Sequence, residues 1–344
     1  MTSIAGEDAR QIANAPLSWG KLRGKHVLIS GANGYVPQFF VHGLLARNDL
    51  FQEGITVIAL CRSEGRAAER FSDYFDRQDF RLIIDDVAKL TEVKEPVDFI
   101  IHAASPASMK ARYADPVAVF DANVTGCRKL LGLAEQKGAE LLLLSSVDVY
   151  GSGCSEKLKE TFSGSLDPLD PRNAYACAKR AAETLCCCYA AKGVPCKIVR
   201  PFQILGSGVS LDDGRLHADF ISQMLRGDTI TLKGDGTPRR SFLYVTDAIV
   251  GMLTVLLEGR SGKAYNIGDE SGEASVLELA RLMASLVPGR DIRVVYDLSA
   301  RGDPAVTRAL SVVLGDYSKL RQLGWRPAVS LREACARTMA CYGL

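Results

Sequence analysis

Two residues of this chain, Tyr175 and Lys179, have types and a spacing suited to acid–base chemistry. They stand four positions apart in an alanine-rich, proline-free run that predicts a helix, and residues four apart share a helix face. A free tyrosine ionises at about pH 10, and a neighbouring ammonium favours the phenolate. Such a pair can take a proton from an alcohol while hydride leaves the same carbon. The competing interpretation is an ordinary surface tyrosine and lysine, because the YxxxK pattern is common by chance.

A strand, a glycine turn and a helix near the N-terminus predict a dinucleotide site. Residues 26–30 are a short apolar run typical of a buried strand, and residues 38–47 have the apolar spacing of a helix. Glycines in the turn between them allow a sharp bend and a close approach of the backbone to a pyrophosphate, which the helix N-terminus favours. Pro37 replaces the third glycine of the usual pattern and is tolerated in a first helical turn. The cofactor contacts predicted from this turn are Gly31, Asn33, Gly34, Tyr35 and Val36.

Further apolar runs alternate with helical segments and predict an α/β fold with a Rossmann-type, doubly wound parallel sheet. The predicted strands are 55–60, 80–84, 97–101, 140–144 and 196–200. Ligands of such sheets lie beyond the carboxyl ends of the strands. Further cofactor contacts are predicted at Arg62, Asp86, Val87, Ala103, Ala104, Ser105, Asn123, Ser145 and Arg200, together with Tyr175 and Lys179.

Arg62 leaves the choice of cofactor open at this stage. It follows the second strand, where an NAD site usually carries an acid for the ribose 2′-hydroxyl. An arginine there can meet the 2′-phosphate of NADP, stack on adenine, or simply be solvated. The residues alone therefore leave NAD and NADP both open, and Arg62 is the reason that NADP is not excluded.

Three regions are predicted along the chain. Residues 1–24 form a polar N-terminal lead-in, residues 25–200 the NAD(P)-binding Rossmann domain, and residues 201–344 a mainly substrate-binding region interleaved with late elements of the sheet. Four arginines lie on three polar loops of the last region, and a planar guanidinium suits the oxygens of a diphosphate. They are Arg215, Arg239, Arg240 and Arg301.

Composition narrows the class of protein. The 344 residues are 47% hydrophobic and 24% charged with a net charge of +2, which is globular and offers no basic surface for nucleic acid or an anionic membrane. The N-terminus has no apolar core of a secretory signal and no run reaches membrane-spanning length, so a cytoplasmic protein is expected. The ten cysteines are expected to be free, and their spacing predicts no metal site.

Ten short motifs in order resemble the extended short-chain dehydrogenases/reductases that act on nucleotide sugars. The resemblance runs from Ile29 to about Pro327 and is carried by GANGY (31–35), HAASPAS (102–108), NVTG (123–126), SSVDVYG (145–151), YACAK (175–179), RPF (200–202), DDGRLHADF (212–220), RRSFLYVTD (239–247), YNIGD (265–269) and LGWRP (323–327). Two of them, HAASPAS and DDGRLHADF, are most similar to the UDP-glucuronate decarboxylase branch and its 4,6-dehydratase-like relatives.

The resemblance implies a reaction and a set of site residues. Bound NAD takes hydride from C4 of the sugar while Tyr175, helped by Lys179, removes the O4 proton and Ser146 hydrogen-bonds O4. Asp148 stands where dehydratases carry a glutamate. Substrate contacts are implied at Ser105, Pro106, Ser146, Val147, Gln203, Arg215, Arg240 and Arg301. A homodimer through residues 117–136 and 174–191 is also implied.

Departures from the family's patterns leave the second chemical step open. Val147 replaces a dehydratase aspartate, Cys177 replaces the acid within the decarboxylases' YxExK, and Ser318 stands nearest their late arginine. We expect oxidation at C4 followed by elimination of water or decarboxylation at C5, because Asp148 offers a carboxylate that a C4 epimerase does not need. Epimerisation is the alternative. A non-catalytic dinucleotide sensor is a second alternative, against which the complete set of Ser146, Tyr175 and Lys179 argues.

Overall fold

The computed structural model describes residues 3–106, 108–153, 157–297, 299 and 313–344. Its strands are β1 (His26–Ser30), β2 (Thr56–Cys61), β3 (Phe80–Ile84), β4 (Phe99–His102), β5 (Glu140–Leu144), β6 (Cys196–Pro201), β7 (Gln203–Leu205), β8 (Thr229–Lys233), β9 (Arg239–Tyr244), β10 (Lys263–Ile267), β11 (Glu273–Ser275) and β12 (Arg293–Asp297). Its helices are α1 (Ser3–Ala13), α2 (Gln38–Phe51), α3 (Glu64–Phe71), α4 (Met109–Ala114), α5 (Pro116–Phe120), α6 (Gly126–Lys137), α7 (Ala174–Ala191), α8 (Leu216–Arg226), α9 (Val245–Glu258), α10 (Val276–Ser285), α11 (Ser318–Gln322) and α12 (Leu331–Ala340).

Seven parallel strands form the central sheet, in the order β10-β6-β5-β4-β1-β2-β3. The order in which the chain adds strands to the sheet reverses between β1 and β4. Ligands of doubly wound sheets bind at such a switch point. The predicted Rossmann-type fold is confirmed, and β10 is one of the late strands expected from the C-terminal region. Two smaller sheets, β11-β9-β7 and β12-β8, lie beyond it.

Helices cover both faces of the sheet, which explains why its strands read as continuous apolar runs. On one face, α2 and α9 pack their apolar side chains, such as Phe40 and Leu253, against the sheet. On the other, α6 and α7 contribute Leu130, Ala182 and neighbouring residues to a second apolar cluster. The sheet is thus held rigidly between two cores, and its strand ends can position a site.

The N-terminal segment contains a helix that belongs to the folded core. Ile12 in α1 is fully buried, and a Cβ on Gly43 of α2 would lie 2.5 Å from Ile12 Cγ2, so the glycine allows the two helices to approach closely. Asp8, also fully buried, accepts hydrogen bonds from Tyr244 Oη at 3.0 Å and Arg337 Nη2 at 2.7 Å. These contacts make residues 3–13 part of the packed structure, within the segment expected to be a polar lead-in.

The cysteines within the described ranges are all free, as expected: Cys61, Cys127, Cys177, Cys186, Cys187, Cys188, Cys196, Cys335 and Cys341. Cys154 lies outside those ranges. Among the helices of the described part of the chain, none has the length and apolarity needed to cross a membrane.

Candidate active site

Helix α7 places Tyr175 and Lys179 at the carboxyl end of the sheet. Both side chains are buried, at 9% and 2% exposure, and Lys179 Nζ donates a hydrogen bond of 2.6 Å to the carbonyl of Leu144, the last residue of β5. Nζ lies 5.7 Å from the centroid of the Tyr175 ring. The pair is therefore a feature of the interior beside a strand end, which removes the interpretation as an ordinary surface tyrosine and lysine.

Burial changes the charge that Lys179 can supply. It lowers the pKa of the Lys179 ammonium to about 8, because the loss of hydration outweighs the opposing charge of Glu183. Arg112 lowers that pKa further by like-charge repulsion. Lys179 is thus a cation close to its neutral form at physiological pH, and a weaker source of positive charge than a solvated lysine.

Among the residues that the structure describes, the cation closest to the Tyr175 ring is Arg112, which the sequence did not single out. Its Cζ lies 3.4 Å from the ring centroid, a stacked cation–π contact. Burial raises the pKa of Tyr175, while the positive charge of Arg112 and a hydrogen bond with the Ser146 hydroxyl act in the opposite direction. Arginine, rather than lysine alone, therefore favours the phenolate in this site.

Asp148 completes a contiguous set of polar side chains. It lies in a single 3-10 turn after β5, where its backbone N–H donates to Ser146 Oγ at 3.2 Å. Its Oδ2 accepts a hydrogen bond of 2.9 Å from Arg112 Nη1, and 40% of its side chain is exposed. The structure thus brings Ser146, Asp148, Tyr175 and Lys179 together and adds Arg112 between them.

The glycine turn after β1 has the shape of a phosphate-binding cradle. Gly31 has a φ of +66°, and a Cβ there would lie 2.7 Å from Ala104 Cα, so only glycine lets the ends of β1 and β4 approach so closely. A Cβ on Gly34 would meet Pro37 Cγ at 3.0 Å, just before α2 begins. A backbone bare of side chains at a helix N-terminus fits the pyrophosphate of a dinucleotide. Asn33, Tyr35 and Val36 lie in the same turn, half-buried.

The remaining predicted cofactor residues lie at neighbouring strand ends. The backbone N–H groups of Ala103 and Ala104 donate to Ser30 Oγ at 3.2 and 3.3 Å, and Asn123 Nδ2 donates to Ser105 Oγ at 2.9 Å. These bonds fix the segment that follows β4 along one side of the cradle.

The ends of β2 and β3 form the other side. Arg62 is exposed after β2. Asp86 Oδ1 accepts from the N–H of Ala88 at 2.9 Å, and Val87 packs so closely on Gly126 that a Cβ there would lie 2.7 Å from it. Direct cofactor contacts by these three residues remain predictions.

Ser145 and Arg200 are engaged with an acid that the sequence analysis did not single out. Glu183 of α7 accepts from Ser145 Oγ at 2.5 Å, from Arg200 Nε at 2.9 Å and from Arg200 Nη2 at 2.6 Å. The three residues tie β5 and β6 to α7 behind the catalytic pair. Direct cofactor contacts by Ser145 and Arg200 remain predictions.

Two arginines of the C-terminal region lie near the Tyr175 and Asp148 side chains. Arg215 lies 4.9 Å from the Tyr35 ring and donates to Asp213 Oδ2 at 3.0 Å. Burial lowers the pKa of Arg240, and the charge of Asp148 opposes this shift, so the two side chains are close enough to interact. Asp213, whose charge acts on Arg112, is a second carboxylate near the site that sequence reasoning missed, although it stands two residues before Arg215.

Three further predicted substrate contacts are uncharged side chains. Gln203 begins β7 and pairs with β9, Val147 packs in the apolar cluster around Tyr150, and Pro106 follows Ser105 beyond β4. Arg301 lies outside the described residues.

A doubly wound parallel sheet, a glycine cradle at the end of β1 and a Ser–Tyr–Lys set beside β5 together define an NAD-dependent enzyme of the short-chain dehydrogenase/reductase type. The chain belongs to the NAD dependent epimerase/dehydratase family, whose sequence profile matches residues 27–268. NAD is accordingly its cofactor, as the sequence predicted.

Two named relatives are UDP-glucuronic acid decarboxylase 2 of Arabidopsis thaliana and UDP-glucuronic acid decarboxylase 1 of Danio rerio. The first is 34% identical over 91% of this chain and 67% of its own length, and the second is 32% identical over 92% and 72%. A solved structure, UDP-glucuronic acid 4-epimerase from Bacillus cereus in complex with UDP-glucuronic acid and NAD, superposes with a TM-score of 0.77 at 22% identity. It covers 92% of this chain and 99% of that one, and at this identity it supports the fold alone.

Proposed function

We propose that this enzyme oxidises a UDP-hexuronic acid at C4 and then decarboxylates it at C5. The observation that carries the proposal is the buried Ser146–Tyr175–Lys179 set at the end of β5, in a chain whose relatives are named UDP-glucuronic acid decarboxylases. The set accounts for oxidation of an alcohol, and the relatives support the nucleotide sugar and the loss of carbon dioxide.

The chain's own residues handle the O4 proton. Ser146, already hydrogen-bonded to Tyr175, orients O4 of the sugar toward the phenolic oxygen, and Tyr175 accepts its proton. The positive charges of Arg112 and Lys179 stabilise the phenolate form that performs this step. Bound in the cradle of Gly31 and Gly34, NAD supplies reversible hydride transfer at C4.

Decarboxylation then follows from the electronic structure of the oxidised sugar. A ketone at C4 makes the C6 carboxylate a β-keto acid, so the C5–C6 bond can break with its electron pair moving to O4. Carbon dioxide leaves, and C5 takes up a proton. This step needs no base at C5.

Dehydration requires Asp148 to act as a base, whereas decarboxylation does not. Elimination of water requires a base to remove the C5 hydrogen, and the Oδ2 of Asp148 is hydrogen-bonded to Arg112 at 2.9 Å. The side chain is also one carbon shorter than the glutamate it replaces. These contacts favour decarboxylation over dehydration.

Epimerisation at C4 is the second candidate, favoured by the small apolar Val147 beside the site. We therefore test the proposal with a panel of UDP-sugars, reading the product by mass spectrometry. Loss of carbon dioxide from a UDP-hexuronate is the expected result. An unchanged mass with inverted C4 supports the epimerase, and loss of water from a UDP-hexose supports the dehydratase.

A homodimer is part of the same proposal. On α5, Val117 and Phe120 are 69% and 39% exposed, next to α7, and Cys188 is exposed on α7 itself. An apolar surface of this kind suits a second copy of the chain. Light scattering of the purified protein is expected to give a dimer, and a monomer at micromolar concentration contradicts this part of the proposal.

A further inference from the structure

We infer that Arg112 is the residue that recognises the sugar carboxylate and so makes the site specific for a hexuronic acid. This inference rests on the proposed function and deepens it. It starts from position: Arg112 reaches from α4 to both Tyr175, at 3.4 Å from the ring centroid, and Asp148, at 2.9 Å. No other cation lies this close to the Tyr175 ring among the residues that the structure describes.

The distance between reacting groups in the sugar matches this placement. The carboxylate carbon C6 is bonded to C5, the direct neighbour of the C4 that Tyr175 and Ser146 act on. A sugar whose O4 contacts Tyr175 therefore holds its carboxylate within a few bond lengths of the Tyr175 ring. The guanidinium stacked on that ring is the group available to meet it.

Arg112 also has unused hydrogen-bonding capacity. Its Nε is buried and has no partner among the described residues, and only 18% of the side chain is exposed. A buried, unpaired N–H is costly unless a ligand satisfies it. A carboxylate binds a guanidinium through two parallel hydrogen bonds, so a uronate fits the donor that the protein leaves unpaired.

Asp148 is the carboxylate that the uronate replaces on Arg112. It is the acid paired with Arg112, and its side chain is 40% exposed, so it can return to water when a uronate replaces it. Arg215 is paired with Asp213. The exchange of one carboxylate for another on Arg112 leaves the charge of the buried pair unchanged.

The test compares two ligands that differ at C6, UDP-glucuronate with a carboxylate and UDP-glucose with a hydroxymethyl group. Titration calorimetry is performed on NAD-loaded protein carrying Tyr175→Phe, so that the ligand is not consumed. Arg112→Leu is expected to weaken UDP-glucuronate binding by about tenfold or more, as loss of a buried charge partner does, while UDP-glucose changes by less than about twofold. Arg112→Lys, which keeps the charge without the fork, is expected to fall between them. Arg281→Leu, in the exposed part of α10, is the matched control.

The outcomes separate the inference from the proposed function. If the Tyr175→Phe protein that keeps Arg112 binds UDP-glucose as tightly as UDP-glucuronate, the proposed hexuronate substrate is wrong. If it prefers UDP-glucuronate and Arg112→Leu keeps that preference with bound NAD and fold intact, only the role of Arg112 is overturned. Nicotinamide absorbance and thermal unfolding of each variant establish that condition.

A purely structural role, in which Arg112 only holds Asp148, is distinguished in an Asp148→Asn background. There the structural role leaves Arg112→Leu without effect on the preference for UDP-glucuronate. If Arg112 contacts the sugar carboxylate directly, Arg112→Leu still causes the full loss of UDP-glucuronate affinity in this background. Asp148→Asn alone then binds UDP-glucuronate more tightly, because the competing carboxylate is gone.

Discussion

The buried ammonium of Lys179 should make the stability of this protein rise with pH over an alkaline range. Burial lowers the folded-state pKa of Lys179 to about 8, whereas the pKa of an unfolded lysine is about 10.4. Between these values the unfolded chain binds a proton that the folded chain has released. Stability rises with pH wherever the unfolded state binds more protons, so the sign is a gain on raising the pH.

The magnitude follows from the width of that range. One pKa unit corresponds to about 1.4 kcal/mol, and integration from about pH 7 to about pH 10 gives a gain of roughly 2–3 kcal/mol. Water screens the charge of Lys179 only weakly, because only 2% of the residue is exposed, so this free energy is not reduced for screening. Substitution by methionine keeps the length of the side chain and removes the titration, so the gain is expected to disappear in Lys179→Met.

The assay is denaturant unfolding of NAD-free protein at several pH values across this range, for wild type and Lys179→Met. Groups common to both proteins cancel in the difference between their unfolding free energies. Lys129→Met, at an exposed position of α6, is the matched control. A wild-type minus Lys179→Met difference that is flat with pH, or that falls as pH rises, refutes the assignment of a desolvated ammonium at this position.

Other perturbations test the cradle, the acid–base residue and the N-terminal helix. Tyr175→Phe is expected to retain NAD and fold but lose about 10²–10⁴ in rate, measured as product formation; turnover near wild type contradicts its role. Gly31→Ala places a Cβ 2.7 Å from Ala104 Cα at a φ of +66°, so nicotinamide absorbance of the purified protein should be lost and its melting temperature should fall. Asp8→Ala removes the buried acceptor of Arg337 and Tyr244 and should lower the free energy of unfolding by about 2 kcal/mol, with an unchanged denaturation midpoint as the contrary result.

Regular elements with strong local patterns could be predicted closely from the sequence. The apolar runs of β1, β3 and β5 and the alanine-rich run of α7 give the bounds found in the structure, because burial on both sheet faces and helix propensity act locally. The helix α1 was not predicted, because its core contacts depend on residues far along the chain. The local sequence does not distinguish Asp8 from a solvated acid, because its partners Tyr244 and Arg337 are distant in the chain.

The candidate site shows the same division. Ser146, Tyr175 and Lys179 follow from strand ends and helix spacing, and the structure brings them together. Arg112 and Asp213 could not be assigned, because nothing local distinguishes a helix arginine that stacks on a distant tyrosine, or an acid close to that arginine, from one in water. The sequence also suggested that Lys179 alone shifts Tyr175, whereas burial weakens that lysine and Arg112 supplies the nearer charge.

The central claim is that the C4 hydrogen of a UDP-hexuronate leaves and returns while carbon dioxide is lost from C5. The most direct measurement is incubation of the NAD-loaded enzyme with UDP-glucuronate deuterated at C4, followed by mass and NMR analysis of the product. The account predicts a UDP-pentose that retains deuterium at C4 and forms more slowly than from unlabelled substrate. A product of unchanged mass with inverted C4, or a UDP-pentose formed without a C4 isotope effect on the hydride-transfer step measured in a single turnover, would contradict it.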